Sequence, residues 1–171
     1  MTEREKHHHS GYPVPVRNPL GVAIRQVGRQ SWFPQAFGWI VPLDTLVHRA
    51  TKGRFGLTDL AGVDSLLLTT IGRRSGEPRM VALTCAPYQD SYLVAGSNWG
   101  GATHPAWSAN LLANQDATVT AHGRSWPVRA RLLEGEERER MWAVLAAHWP
   151  PYQVYAARAG RPIRTFILER V

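Results

Sequence analysis

The sequence predicts an α+β fold that is mainly β, a six-stranded antiparallel barrel with flanking helices. Six short runs of strand-forming residues follow one another, and most of them are separated by turn signals rather than by helices. One helical run falls between the third and fourth strands, and a helical excursion precedes the sixth, whereas a parallel βαβ sheet needs a helix after nearly every strand. We therefore expect strands at about residues 66–71, 79–87, 91–97, 117–122, 125–133 and 165–168.

Helical patterns flank and interrupt these strands. Pro42 suits the first turn of a helix, and Gly53 suits a helix end. Tight turns at Gln89-Asp90 and Gly123-Arg124 join the second strand to the third and the fourth to the fifth. We expect helices at about residues 19–30, 42–52, 105–113, 135–147 and 152–158.

The length of 171 residues predicts one domain with a core large enough to fold without a metal or disulfides. We expect a disordered tail over residues 1–16 and the barrel domain over residues 53–171. Residues 17–52 alternate apolar and basic groups with aromatics, a pattern that can lie in a membrane interface. Packing on the barrel or a dimer contact is the favoured interpretation of that segment.

The cysteine content and the apolar runs predict a cytoplasmic protein. Cys85 is the single cysteine, so no internal disulfide framework can form, and one thiol cannot build a zinc site alone. We expect no signal peptide, and no apolar run approaches the roughly 18 residues that a membrane span needs. We expect no metal site.

A net charge of +7 favours anionic partners. Nucleic acid, a phosphorylated cofactor and an anionic membrane surface all meet that requirement. The 20 lysines and arginines are spread along the chain without a dense run, so charge alone does not choose among the three.

The stretch at residues 66–79 organises the chain. An apolar run ends in Thr69-Thr70 and breaks into a glycine-bounded loop that holds arginines and Ser75. Glycines free the backbone for a tight turn with exposed amides, and arginine offers a fixed cation with a planar donor fork. The loop can therefore bind an anion, although solvated surface turns carry the same residues. The pattern is neither a Walker loop nor a dinucleotide-binding fingerprint, because no Gly-Lys-Ser/Thr and no helix follows it.

Motifs that follow one another in order resemble those of the deazaflavin-dependent nitroreductase family. They are Leu-Leu-Leu-Thr-Thr-x-Gly-Arg-Arg-Ser-Gly-x-Pro-Arg from Leu66, Ser-Asn-x-Gly-Gly-x-x-x-His-Pro-Ala-Trp-x-x-Asn-Leu from Ser97, and Leu-Glu-Gly-Glu-Glu-Arg and Pro-Pro-Tyr-x-x-Tyr beyond them. The similarity runs from about Leu66 to Glu169, is weaker over residues 43–65 and does not clearly cover residues 1–42. It implies a split β-barrel of the FMN-binding-like kind that uses the 8-hydroxy-5-deazaflavin coenzyme, coenzyme F-420.

The resemblance also implies which residues bind that coenzyme. It has a tricyclic ring, a phosphodiester and an oligoglutamate tail, so it is anionic over much of its length. The positions that match those of the phosphate and tail are Arg73, Arg74, Ser75 and Arg79. The positions that match those lining or closing over the ring are Ala95, Gly96, Ser97, Asn98, His104, Pro105, Ala106, Trp107 and Asn110.

On the substrate side, Tyr152 and Tyr155 match family tyrosines, and Ser97 is placed to hydrogen-bond the acceptor. Trp149 stands where well-known members have another tyrosine, which keeps an aromatic wall but removes a hydroxyl. Asn98 occupies a position that is lysine in some members. Tyr152, Ser97 and water are the candidate proton donors.

The implied function is hydride transfer from the reduced deazaflavin to an organic acceptor, with a quinone as the first expectation and nitroaromatics as similar flat acceptors. The protein would supply binding, orientation and polarity, and the cofactor the chemistry. The alternatives are an FMN-dependent split-barrel oxidoreductase, a redox-silent coenzyme carrier, and a non-catalytic basic module that binds a membrane surface or nucleic acid. Nucleic acid is disfavoured because no recognisable binding motif is present. Both a monomer and a homodimer are consistent with the sequence.

Overall fold

The computed structural model describes residues 39–52 and 62–171, together with Ala23, Gln26, Val27, Gln30, Trp32, Arg54 and Gly56. The tail predicted at residues 1–16 and most of the helix predicted at residues 19–30 lie outside the described residues. In the part of the chain that is described, no helix is long and apolar enough to cross a membrane.

The described residues form six strands and four α-helices, in the predicted order. The strands are β1 Ser65–Ile71, β2 Pro78–Tyr88, β3 Ser91–Ala95, β4 Asp116–Ala121, β5 Arg124–Leu132 and β6 Thr165–Arg170. The helices are α1 Ile40–Ala50, α2 Ala106–Ala113, α3 Gly135–His148 and α4 Pro151–Ala159, with one short 3-10 turn at Asn98–Gly100.

The strands close into one barrel in the order β1-β2-β3-β6-β5-β4, and every neighbouring pair is antiparallel. The pairing of β1 with β4, for example Leu67 opposite Thr120, closes it. Closure gives every strand a paired neighbour on both sides, although not along its whole length. The mainly β, antiparallel barrel predicted from the sequence is confirmed.

The observed strand bounds lie within two residues of the predicted ones, and two of the differences have a clear local cause. β3 ends at Ala95 rather than at residue 97, because the chain then turns sharply through Asn98, Trp99 and Gly100, whose φ angles are 48°, 56° and 80°. The turn between β4 and β5 is centred on His122-Gly123 rather than on Gly123-Arg124. Both central residues have positive φ, 51° and 74°, as a tight two-residue hairpin requires.

β2 changes partner along its length, and this opens the barrel locally. Its first part pairs with β1 as far as Thr84, and its last residues, from Cys85, pair with β3. The edge of the first part therefore faces helices instead of β3. The Ala82 N–H donates to Thr45 Oγ1 of α1 (3.0 Å), and the Tyr152 hydroxyl of α4 donates to the Thr84 carbonyl (3.5 Å).

Two apolar clusters stabilise this arrangement. The first fills the barrel with residues such as Leu66, Leu68 and Phe166, and Trp107 of α2 closes one end. The second lies between the barrel wall and helices α3 and α4. Its members include Leu93, Ile167, Leu145, Trp149 and Tyr155. The first cluster holds α2 against the barrel, and the second holds α3 and α4, and the cavities described below lie between these elements.

Candidate functional site

Two adjoining cavities lie beside the open edge of β2. The aromatic cavity has a volume of about 490 Å³ and is lined mainly by α1, the exposed stretch of β2 and the aromatic residues of α4. The basic cavity has a volume of about 620 Å³ and is lined by the loop after β1 and the start of α2. Both are lined by Val81, Asn98, Pro105 and Trp107, so a single elongated ligand can occupy the two together.

The loop that forms the basic cavity folds back on itself through backbone hydrogen bonds. The Gly72 N–H donates to the Glu77 carbonyl (2.8 Å), and the Gly76 N–H donates to the Gly72 carbonyl (2.7 Å). Gly76 has a φ of 71°, which L side chains rarely adopt. A Cβ atom at Gly72 would lie 2.6 Å from Ser75 Oγ. The glycines of the motif are therefore required by the shape of the turn.

Three arginine side chains line this cavity, and in the described structure no acidic side chain neutralises their positive charge. Arg73, Arg74 and Arg79 are exposed, and no described acidic side chain forms an ion pair with any of them. Arg79 Nη2 instead donates to Ser75 Oγ (3.4 Å). Guanidinium groups on the wall of a cavity that have no acidic partner remain available to an anionic ligand. The geometry therefore supports the anion-binding interpretation of the loop.

Asn110 ties this loop to α2. Its Nδ2 donates to Thr70 Oγ1 (3.0 Å), and its Oδ1 accepts from the Arg73 N–H (3.1 Å). The residue is buried, so losing either bond would leave an unsatisfied polar group. Asn110 lines the basic cavity, but its amide already serves the protein and acts mainly by positioning Arg73.

Aromatic side chains form the far wall of the aromatic cavity. Tyr152 and Tyr155 are buried on one face of α4, with ring centroids 6.2 Å apart, and Trp149 precedes them. Trp99 packs edge-on against Tyr155 at 6.0 Å. Burial raises the pKa of Tyr155 to about 12 and also raises the pKa of Tyr152. Both phenols stay protonated near neutral pH and can act as hydrogen-bond donors.

Most of the predicted site residues line one or both cavities, and two do not. Gly96 and His104 lie behind the wall, so a direct contact of either with a cofactor stays a prediction. The residues found at the cavities are Arg73, Arg74, Ser75, Arg79, Ala95, Ser97, Asn98, Pro105, Ala106, Trp107, Asn110, Tyr152 and Tyr155.

Helix α1 contributes a wall that the sequence did not assign to the site. Trp39, Val41, Leu43 and Asp44 line the aromatic cavity. The helix itself was predicted, at residues 42–52, but its amphipathic pattern does not reveal which element its inner face meets. Only the open edge of β2 explains why α1 lies at the cavity.

A buried polar cluster connects α1 to β1. His48 Nε2 is hydrogen-bonded to Ser65 Oγ (3.0 Å) and lies 3.9 Å from Asp44 Oδ1. Serine, histidine and aspartate thus meet, but the acid and the hydroxyl face the same ring nitrogen. A nucleophilic triad needs them on opposite nitrogens, so the cluster is not one. Gly56 is required here, since a Cβ atom there would lie 2.1 Å from His48 Nε2.

Arg161 organises the loop that joins the two cavities. Its guanidinium donates to the carbonyls of Thr103 (2.8 Å), Gly101 (3.1 Å) and Ser97 (3.3 Å). It also donates to His104 Nδ1 (2.9 Å). Left-handed conformations at non-glycine residues are costly, and Asn98 and Trp99 adopt them here. The arginine holds this strained segment in place.

His104 serves this loop as a hydrogen-bond acceptor. Its ring must be neutral at Nδ1 to accept from Arg161. Partial burial, followed by the charges of Arg161 and Arg164, lowers the pKa of His104 below its ordinary value of 6.5. The neutral ring is thus the form that the folded loop stabilises. In the described residues, no group of three potential metal ligands occurs here or elsewhere.

Comparisons with known proteins agree on one family. Residues 42–170 match the family model described as F420H(2)-dependent quinone reductase. An F420H(2)-dependent quinone reductase of Mycobacterium tuberculosis is 31% identical over 134 residues, which are 77% of this chain and 90% of that protein.

Solved structures show the same likeness. One described as an F420-H2 dependent reductase, FDR-A, is 37% identical, has a TM-score of 0.58 and covers 61% of this chain and 93% of that one. Another, described as a domain-swapped dimer, is 34% identical, has a TM-score of 0.59 and covers 72% of this chain and 94% of that one.

We expect the Arg161→Lys variant to loosen the loop at residues 96–104. Lysine cannot reproduce the planar fork that serves several carbonyls at once, and a lost hydrogen bond of this kind costs about 1–3 kcal/mol. Hydrogen exchange at the amides of residues 97–103 should accelerate. Arg158→Lys is the matched control, because Arg158 makes a long 3.5 Å contact to the Trp99 carbonyl. Equal exchange in both variants would contradict this role for Arg161.

We expect the folded protein to lose stability in mild acid through His104. Its pKa is depressed in the folded state, so the unfolded chain binds the proton more readily. The resulting stability is present above pH 6.5 and declines as the pH falls from there toward the folded-state pKa. Urea unfolding should be measured from about pH 7.5 to about pH 5. The free energy of unfolding should depend less steeply on pH in His104→Asn than in the wild type. An unchanged slope would show that other groups cause the effect.

Proposed function

The chain belongs to the F420H(2)-dependent quinone reductase family, and from this premise we propose that it transfers a hydride from the reduced deazaflavin coenzyme to a quinone. The observation that carries the proposal is the joining of the two cavities. An uncompensated cluster of arginines opens directly onto an aromatic cavity, which matches a ligand with an anionic tail and a flat ring.

The residues present fit the coenzyme. Arg73, Arg74, Arg79 and Ser75 would hold the phosphodiester and the acidic tail through charge-assisted hydrogen bonds. The wall common to both cavities, with Trp107 buried behind it, would hold the ring. When bound, the reduced coenzyme supplies the hydride, so the protein has to bind and orient two flat molecules.

The aromatic cavity supports a quinone as the acceptor. Its lining is largely apolar, and such surfaces favour flat, weakly polar molecules. The buried hydroxyl of Ser97 lies on its wall and can donate a hydrogen bond to a carbonyl oxygen of the acceptor, and that of Tyr152 can do so by exchanging its partner at 3.5 Å, the Thr84 carbonyl, for the acceptor. Trp149, in place of a tyrosine, adds an apolar surface without a third hydroxyl. A water-excluding wall also strengthens each polar contact inside it.

We expect the Arg73→Ala/Arg74→Ala double variant to bind the oxidised coenzyme at least about tenfold more weakly, a loss of about 1.4 kcal/mol. Fluorescence titration at low and high salt would measure this, with FMN as a second ligand. The wild-type affinity should fall with salt, and that of the variant should change less.

The matched control is Arg124→Ala/Arg129→Ala, which removes the same charge at exposed positions on β5. Equal weakening in the two double variants would show that total charge, rather than this loop, binds the coenzyme. Tight FMN binding without coenzyme binding would favour a flavin oxidoreductase.

We also propose that α1 contacts an anionic membrane surface, where lipid-soluble quinones reside. Trp39, Leu43 and Leu46 are 57%, 38% and 61% exposed, and Trp39 and Leu43 also line the aromatic cavity. Exposed Arg49 and Lys52 follow at the end of the helix. Apolar side chains flanked by cations are typical of an interfacial helix.

Vesicle sedimentation tests this contact. The wild type should bind phosphatidylglycerol vesicles more strongly than phosphatidylcholine vesicles, and Trp39→Ser/Leu46→Ser should weaken that binding. Leu112→Ser, on α2 and 46% exposed in the wild type, is the control. Binding that does not depend on lipid charge, or that is equally strong in the double variant, would contradict the proposal. The oligomeric state, a monomer or a homodimer, stays a prediction.

A further inference from the structure

Reduction of a quinone needs a proton as well as a hydride, and the tyrosines are poorly suited to supply it. Burial raises the pKa of both Tyr152 and Tyr155, so each phenol is a weaker acid than usual. The Tyr152 hydroxyl is also directed at the Thr84 carbonyl. An alcohol such as Ser97 is a weaker acid still. These groups can orient the acceptor, and a stronger acid would protonate it more readily than they can.

Asp44 is an acidic side chain at the wall of the aromatic cavity, and His48 lies one helical turn further along α1. Asp44 is 4% exposed and lines the cavity, and His48 is 1% exposed behind it. Their closest atoms, Oδ1 and Nε2, are 3.9 Å apart, within the range of an ion pair and beyond that of a hydrogen bond. The two side chains thus connect the cavity to the interior of the α1–β1 contact.

Two ionisable side chains are buried together beside the cavity. Two ionisable groups removed from water cost several kcal/mol each unless their interactions are very favourable. His48 Nε2 bonds to Ser65, but Nδ1 is buried and has no hydrogen-bond partner in the described part of the chain. Buried ionisable groups beside a cavity are characteristic of functional sites.

We propose that Asp44 is the proton donor to the quinone and that His48 is the positioning residue that stabilises the pair as its proton count changes. This inference rests on the proposed function. The hydride brings two electrons to the quinone and forms the hydroquinone monoanion. The carboxylic acid O–H of Asp44 breaks, a new O–H bond forms on the monoanion, and neutral hydroquinone results. The carboxylate that remains is reprotonated from solvent before the next turnover.

The test is a single-turnover measurement with quinones whose hydroquinones differ in basicity. In Asp44→Asn the rate of coenzyme oxidation should fall about 100-fold for quinones that form basic hydroquinones, a typical effect of losing a general acid. The fall should shrink steadily as the hydroquinones become more acidic, because these leave as anions without a donor. His48→Gln keeps an amide near Ser65 but cannot carry the proton, and should show the same trend more weakly.

Asp90→Asn, in the exposed turn between β2 and β3, is the matched control and should follow the wild type. Coenzyme affinity, measured without any quinone, should be the same in Asp44→Asn and the wild type, because Asp44 does not line the basic cavity. A merely structural Asp44 would instead weaken coenzyme binding or slow all quinones equally. Comparing quinones within one variant also removes any effect of partial unfolding.

The outcomes separate the two hypotheses. If the wild type fails to oxidise the reduced coenzyme with every quinone in the series, the proposed function is wrong. If the wild type is active and Asp44→Asn shows either no loss or the same loss with every quinone, the assignment of Asp44 is wrong and the proposed function stands. If Asp44→Asn shows the graded loss and His48→Gln behaves as the wild type, the positioning role of His48 is overturned.

Discussion

The change of partner within β2 is the constraint on which the site depends. A strand that pairs with β1 over its first part and with β3 over its last leaves backbone groups that the sheet cannot satisfy. Buried groups of this kind need partners, and here Thr45 of α1 and Tyr152 of α4 supply them. Two helices are thereby drawn to one edge, and the space between them is the aromatic cavity. The strand pairing that forms the barrel thus also creates the space for the site.

Electrostatics divide the site into two regions with different tasks. In the basic cavity, arginines at the surface remain without acidic partners in the described structure and so attract anions. In the aromatic cavity, burial raises the pKa of both tyrosines, and Asp44 is an acidic side chain at a largely apolar wall. The loop held by Arg161 carries Ser97, Asn98 and Trp99 between the two regions. The position of this loop therefore determines how the two regions lie relative to each other.

Much of the barrel could be predicted because its signals are local. Alternating apolar residues and short turns specify antiparallel hairpins, and the glycines of residues 72 and 76 specify the arginine loop. The end of β3 was placed two residues too late, because the left-handed turn at Asn98 and Trp99 depends on Arg161, far along the chain. Gly96, Asn98 and the glycines that follow favour a turn, but they do not specify at which residue the strand ends.

By itself, the sequence determined the order of the strands along the chain, the arginine loop and the aromatic pair on α4, since each is set by neighbours within a few residues. Only the tertiary structure decided that α1 forms a cavity wall, that Asn110 anchors Arg73, and that Asp44 and His48 meet Ser65. These relations join residues that lie 17 and 37 positions apart. They arise because β2 leaves an edge open to the helices. A contact of this kind produces no periodic pattern or residue spacing in the sequence, so it cannot be predicted from the sequence.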